Sequence, residues 1–290
     1  YTHNELNLLI IDTDEGITGY GCSWAIEFAE SMGKAIIGED PLNNERLWQK
    51  IYVPKFIGRR GTSCKTVSAI DIALWDIKAK VAGMPLYRLL GGAKEKIPCY
   101  IAGGYYAKDK GLKELQQEML EYKSWGVNAV KMKVGALSMK EDAERVKAVR
   151  EVIGNDTKLM LDANCAYKFF EAIEFSKMVE EYHPYWFEEP VDADDYDGYR
   201  KVAAQCNIPL AAGENEVTRF GFRDLVNTQA ISILNPDAAS LGGVTEYMKI
   251  AGYADANGLV MSPHGQQQLH VHLDCAVPNA TIAEFYPPQY

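Results

Sequence analysis

No apolar run in this chain approaches the roughly 20 residues that a membrane-crossing helix needs. Cations are also in deficit, with 30 Lys and Arg against 40 Asp and Glu and a formal net charge of −10. A non-specific nucleic-acid binder needs the opposite balance, because its affinity comes from displacing phosphate counterions. A small anionic substrate remains allowed, since the field inside a cleft is set locally. Cysteine is sparse and scattered: Cys22, Cys64, Cys99, Cys165, Cys206 and Cys275 show no CxxC or Cys/His knuckle spacing. Six thiols could form three disulfides, but 290 residues at 47% apolar can bury a core without them. Reduced thiols in a cytoplasmic protein are therefore expected. No GxGxxG or GxxxxGKS/T follows any apolar strand, which argues against nucleotide-binding doubly wound folds. Tyr1 is neither a start methionine nor the head of a signal-like leader, so the front of the chain is expected to be trimmed.

What is present divides in two. Leu6 to Asp12 alternates loosely as a strand, Asp12-Thr-Asp-Glu-Gly16 is a turn, and Ile17 to Cys22 returns as the second arm of a hairpin. Helical patterning follows Pro41, then a basic loop at Gly58-Arg-Arg-Gly61. Ser68 to Val81 reads as an amphipathic helix with Ile70, Ala73, Leu74, Ile77 and Val81 on one face, stopped by Gly83 and Pro85. Residues 1–95 thus form a small α+β unit.

From residue 96 onward one unit recurs: a short apolar strand, a polar residue, a helix. The strands are Ile97–Ile101, Ala129–Lys133, Leu159–Asp162, Tyr185–Glu188, Leu210–Gly213, Ile231–Leu234, Leu259–Ser262 and Thr281–Glu284. Helices are clearest at Lys140–Ile153, Phe170–Glu181 and Val244–Ala256. Eight strands alternating with helices imply parallel pairing and right-handed crossovers. In about 190 residues they favour a closed barrel whose last strand has lost its helix, a (β/α)7β architecture.

The active site of such a barrel is built at the C-terminal ends of its strands. Those ends carry Lys131 and Lys133, then Asp162, Glu188, Glu214, Asp237, His264 and Glu284, each about one βα unit from the last. Solvated surface does not predict that register. Asp162, Glu188 and Glu214 on neighbouring strands would repel unless a cation sat among them, and all-oxygen ligation suits Mg²⁺, with Mn²⁺ as the alternative. Lys131 and Lys133 share one side of a strand, where each disfavours the charging of the other and lowers the pKa of a prospective base. Asp237, one strand before His264, can orient the imidazole and stabilise its cation. His270 and His272 read as structural, and His3 and His183 lack supporting context. Glu284 either donates a hydrogen bond when protonated or is a satisfied rim acid. Two bases flanking a divalent cation suit removal of the weakly acidic proton α to a carboxylate, with the cation stabilising the enediolate.

The chain resembles the mandelate racemase branch of the enolase superfamily over nearly its whole length. The markers are Ser68-Ala-Ile-Asp-Ile-Ala-Leu-Trp-Asp76 with Leu89-Leu-Gly-Gly92, Val130-Lys-Met-Lys-Val-Gly135, Leu161-Asp-Ala-Asn164, Phe187-Glu-Glu-Pro190, Ala212-Gly-Glu-Asn215, Asn235-Pro-Asp237, Gly242-Gly-Val-Thr245 and Met261-Ser-Pro-His264. The resemblance implies an N-terminal α+β capping domain over a (β/α)7β barrel. It implies Asp162, Glu188 and Glu214 as Mg²⁺ ligands, with Glu189 beside them. Lys133 is implied as a base on one face of the substrate, with Lys131 tuning it, and His264 with Asp237 as the acid/base on the other. Glu284 is implied as a donor to the substrate carboxylate, and Asn164 as a polar contact near the metal. Relative to the family, a strand ahead of Leu6, part of the segment between Tyr20 and Gly38, and a C-terminus past Tyr290 are expected to be missing.

Members carrying both basic groups resemble acid-sugar dehydratases. The resemblance therefore implies conversion of an aldonate or aldarate to a 2-keto-3-deoxy acid. A racemase or epimerase of a 2-hydroxy acid uses the same site by 1,1-proton transfer. A barrel that only binds a metal or anion is the remote alternative. Lys55, Arg59 and Arg60 could pair with the distal carboxylate of an aldarate, or simply form an exposed basic loop. The resemblance also implies a homo-oligomer.

Overall fold

The computed structural model describes residues 7–287 apart from 54, 56, 57 and 59. An antiparallel hairpin, β1 (Asn7–Asp12) and β2 (Thr18–Ser23), turns through Gly16 at φ 78°. Two short helices follow, α1 (Ala29–Gly33) and α2 (Asn44–Ile51), and then the long α3 (Ser63–Val81). The sequence pattern predicts one apolar face for this helix, starting at Ser68. Instead the helix begins five residues earlier and is buried on several sides, polar Ser68 and Asp71 included, while Val81 is exposed. The reason is its place between the hairpin and the barrel. β2 lies so close that a Cβ on Gly21 would fall 1.8 Å from the Ala69 carbonyl oxygen, so only glycine fits there.

After a one-turn helix α4 (Leu86–Leu89) the barrel begins with β3 (Cys99–Gly103). The units that follow are α5 (Leu112–Ser124), β4 (Ala129–Lys133), α6 (Met139–Ile153), β5 (Lys158–Asp162), α7 (Phe169–Val179) and β6 (Trp186–Glu188). Next come α8 (Tyr196–Ala203), β7 (Leu210–Ala212), α9 (Thr218–Val226), β8 (Ile233–Leu234), α10 (Ala238–Leu241) and α11 (Gly243–Ala256). The chain ends with β9 (Val260–Met261), α12 (Gln267–Ala276) and β10 (Ala283–Phe285), and no helix follows β10 among the described residues. All eight barrel strands are parallel, in the order β10-β3-β4-β5-β6-β7-β8-β9. The gap between β9 and β10 is closed by a Met261–Ala280 bridge and by Ser262 Oγ donating to the Ile282 carbonyl at 2.8 Å. The predicted strands therefore stand, with ends shifted by one or two residues.

Alternation sorts the strand residues into two layers. Val130, Met132, Leu159, Leu161 and Phe187 face the helices, while Tyr100, Ala129, Met160, Trp186, Ala211 and Ile233 fill the barrel. A buried hydrogen-bonded seam joins the N-terminal unit to the barrel. Asp71 on α3 accepts from the Thr245 amide (2.8 Å) and hydroxyl (2.6 Å), and Trp48 Nε1 donates to the Gly242 carbonyl at 2.8 Å.

Candidate active site

Register places the first acidic residues. Lys133 pairs directly with Asp162 across β4 and β5, and Asp162 with Glu188 across β5 and β6, so all three stand at one level inside the barrel. Glu214 follows β7 by two residues. One oxygen from each of Asp162, Glu188 and Glu214 lies within 4.8 Å of the others. Glu188 is the centre of the cluster: Lys131 Nζ donates to one oxygen at 2.8 Å and Trp186 Nε1 to the other at 2.9 Å. Sequence reading missed Trp186, although its position two residues before Glu188 puts it on the same inward face.

The two lysines differ. Lys131 is 1% exposed and sits among Glu284 (2.7 Å), Glu188 (2.8 Å) and Asp162 (3.4 Å). Lys133 lies higher, 2.5 Å from Asp162 and under the face of the Tyr105 ring. The expected lowering of the lysine pKa is not what this arrangement produces. Burial, the largest single effect, and the neighbouring ammonium pull Lys133 down, but Asp162, with Tyr105 and Glu214, raises it by more, so its pKa is raised. Lys131 is likewise raised by Glu188 and Glu284 against its burial. The cations in turn hold Asp162 at about 2 despite its burial. Burial lifts Glu188 to about 8.

His264 follows β9 and faces the far side of the same carboxylates. Its Nε2 is 3.6 Å from Glu214 Oε2, and its Nδ1 is 3.6 Å from Asp237 Oδ2. Burial alone would lower its pKa, but Glu214, Asp237 and Glu284 hold it at about 10. Asp237 caps α10 by accepting from the Ala239 amide at 2.8 Å. It also accepts from Trp24 Nε1 (3.2 Å), a residue of the N-terminal unit that no local signal marks. His270 is structural, as the sequence suggests: its Nε2 accepts from the Ala238 amide at 3.0 Å. His183 is a left-handed loop residue, and His3 lies outside the described residues.

The remaining candidates separate. Glu284 accepts from the Gly265 amide (2.7 Å) and lies 2.7 Å from Lys131 Nζ, whose charge draws its pKa down to about 2 against its burial. Asn164 reaches Glu214 with Nδ2 at 3.4 Å. Glu189 points behind the cluster, where Asn215 Nδ2 donates to both of its oxygens (3.0 and 2.9 Å). Arg60 does not wait for an anionic substrate. It is taken by Asp194 (2.7 Å), Glu216 (3.3 Å) and the Tyr196 hydroxyl, and ties its loop to the barrel rim. Lys55 is exposed, and Arg59 lies outside the described residues.

The donor set suits a hard divalent cation. It is all oxygen, it gathers three carboxylates, and the buried Glu214 Oε2 has no hydrogen-bond partner. Elsewhere the six cysteines are free thiols, and no helix of the described residues is long and apolar enough to cross a membrane.

Comparison with known proteins agrees with this geometry. Residues 2–91 match the model of the mandelate racemase / muconate lactonizing enzyme N-terminal domain, and residues 114–290 match the enolase C-terminal domain-like model. The arabinonate dehydratase of Saccharolobus solfataricus is 39% identical, covering 88% of this chain and 70% of its own length. The 3,6-anhydro-alpha-L-galactonate cycloisomerase of Streptomyces coelicolor is 32% identical, covering 97% and 80%. A racemase from Streptomyces coelicolor, solved with bound magnesium, superposes with a TM-score of 0.91 at 31% identity, covering 97% of this chain and 81% of the other. The chain belongs to the mandelate racemase / muconate lactonizing enzyme family of the enolase superfamily.

Proposed function

We propose that this protein abstracts the proton α to the carboxylate of an acid sugar and eliminates the β-hydroxyl, giving a 2-keto-3-deoxy acid. One observation carries the reading: Lys133 and His264 flank the carboxylate triad from opposite ends, one against Asp162 and the other against Glu214. Asp162, Glu188 and Glu214 would hold Mg²⁺. Bound there, the cation would supply Lewis acidity at the substrate carboxylate.

The protein's own groups do the rest. Lys133 Nζ or His264 Nε2 takes the C2 proton, and the electron pair moves into the carboxylate as an enediolate. The C3–O bond then breaks, His264 as imidazolium gives its proton to the departing hydroxyl, and the enol tautomerises to the ketone. Asp237 holds the imidazole, while the buried Lys131 ammonium, set among Glu284, Glu188 and Asp162, offsets part of the carboxylate charge at the base of the site. Asn164 supplies a polar contact near the metal. A small carboxylate substrate, a division near residue 95, a cytoplasmic location and homo-oligomeric assembly belong to the same reading.

The opposed pair serves an isomerase equally well, and relatives named as a cycloisomerase and a racemase favour that second reading. Proton NMR in D₂O with Mg²⁺ and a panel of aldonates, aldarates and simple 2-hydroxy acids separates the two. Keto acid from one sugar acid is the expected result. Deuterium at C2 of both epimers without keto acid would establish the isomerase instead.

A further inference from the structure

Alternation along β10 brings a second side chain into the site. Glu284 faces inward, so Tyr286, two residues on, lies on the same side one step nearer the barrel mouth. Its backbone amide donates to Gln267 Oε1 at 2.6 Å, which pins the strand end to the start of α12. The phenol oxygen lies 3.5 Å from His264 Nε2. Burial and the charge of Glu284 both push the phenol pKa up, so it remains a donor.

The 3.5 Å separation is too long for a strong direct bond. It suits two donors that converge on one oxygen, each within about 3 Å of it. Asp237 Oδ2 lies 3.6 Å from Nδ1, which leaves Nε2 as the ring nitrogen facing the site, so an oxygen between Nε2 and the phenol lies within reach of both groups. An alcohol oxygen on a substrate, with two lone pairs, is such an acceptor.

We propose that Tyr286 contacts the substrate and, together with His264 Nε2, holds the β-hydroxyl as it departs. This rests on the dehydratase reading. As the C3–O bond breaks, its electron pair goes to oxygen and the proton that completes water comes from His264. Tyr286 keeps its own proton and stabilises the developing negative charge by donating to it. The inference assigns the site to 2,3-dihydroxy acids whose 3-hydroxyl lies on the His264 side.

The test is Tyr286→Phe, which keeps the ring and removes only the oxygen. With Mg²⁺ and an acid sugar that the wild type dehydrates, keto-acid formation should fall on the order of 10²-fold, the scale for losing one donor to a developing oxyanion. Exchange of the C2 proton with D₂O should stay within twofold, so deuterated substrate accumulates. Product formation within twofold of wild type would overturn the assignment. A parallel fall of exchange and product would also overturn it, because the phenol would then act before C–O cleavage. A 3-deoxy analogue, lacking the β-hydroxyl, should bind both proteins equally in calorimetry; weaker binding to the variant would place the phenol on another substrate atom and reject the proposal. Wild-type protein that exchanges C2 protons but makes no keto acid would refute the dehydratase reading itself, an outcome visible without the variant.

Discussion

Replacing Thr245 with valine tests the seam between the N-terminal unit and the barrel. Trp75 Nε1 can only donate, and it donates to Thr245 Oγ1 at 2.8 Å. The Thr245 hydroxyl proton is thereby directed to Asp71 Oδ1 at 2.6 Å. Valine keeps the shape and the amide bond from residue 245 to Asp71, but removes one charge-assisted hydrogen bond, worth about 1.5–3 kcal/mol, and one neutral bond, worth about 1 kcal/mol. The expected loss is roughly 2–4 kcal/mol in urea denaturation, with m unchanged. Its pH dependence has a defined sign. Burial raises Asp71 to about 7, above its unfolded value, so this group's contribution is fully present below about pH 4 and is lost as pH rises through about 7. The Thr245 hydroxyl bond lowers that pKa, so the variant raises it further and its deficit should be larger at pH 8 than at pH 5. A loss below about 0.5 kcal/mol, or an equal loss at both pH values, would refute the reasoning.

Lys133→Ala and His264→Ala should each abolish keto-acid formation, by 10³-fold or more on the order of magnitude of lost acid–base catalysis, with unchanged circular dichroism; full turnover in either would remove that residue from the mechanism. Mg²⁺ at 100 times its Kd should stabilise the protein by about 2.7 kcal/mol; Asp162→Ala should erase the shift in thermal melting, and a shift of the same size in the variant would exclude Asp162 as a ligand. Gly21→Ala should cost roughly 3 kcal/mol or more, because the new Cβ would meet the Ala69 carbonyl at 1.8 Å; a melting temperature equal to wild type would show that β2 can shift away from α3.

The barrel and the ring of ionisable residues were legible because both are carried by short-range periodicity. Strand alternation predicts that Val130 and Met132 face one layer and Lys131 and Lys133 the other, and the repeat of one βα unit brings Asp162, Glu188 and Glu214 to one rim. Hairpin and turn chemistry around Gly16 is local in the same way. Charge state was not legible. The expected lowering of the lysine pKa fails because each ammonium feels several charges from different strands, and their sum depends on distances of 2.5–3.4 Å that spacing does not encode. Likewise, Trp24 reaches Asp237 across 213 residues and Arg60 reaches Asp194 across 134, so no local pattern announces either contact. The sequence by itself determined the order of the elements and which residues face the barrel interior, since these follow from backbone period. Only the tertiary structure decided which of those residues are ionised, which are already paired, and which are left facing the substrate, because desolvation and Coulomb energy depend on what the rest of the chain brings within a few ångströms.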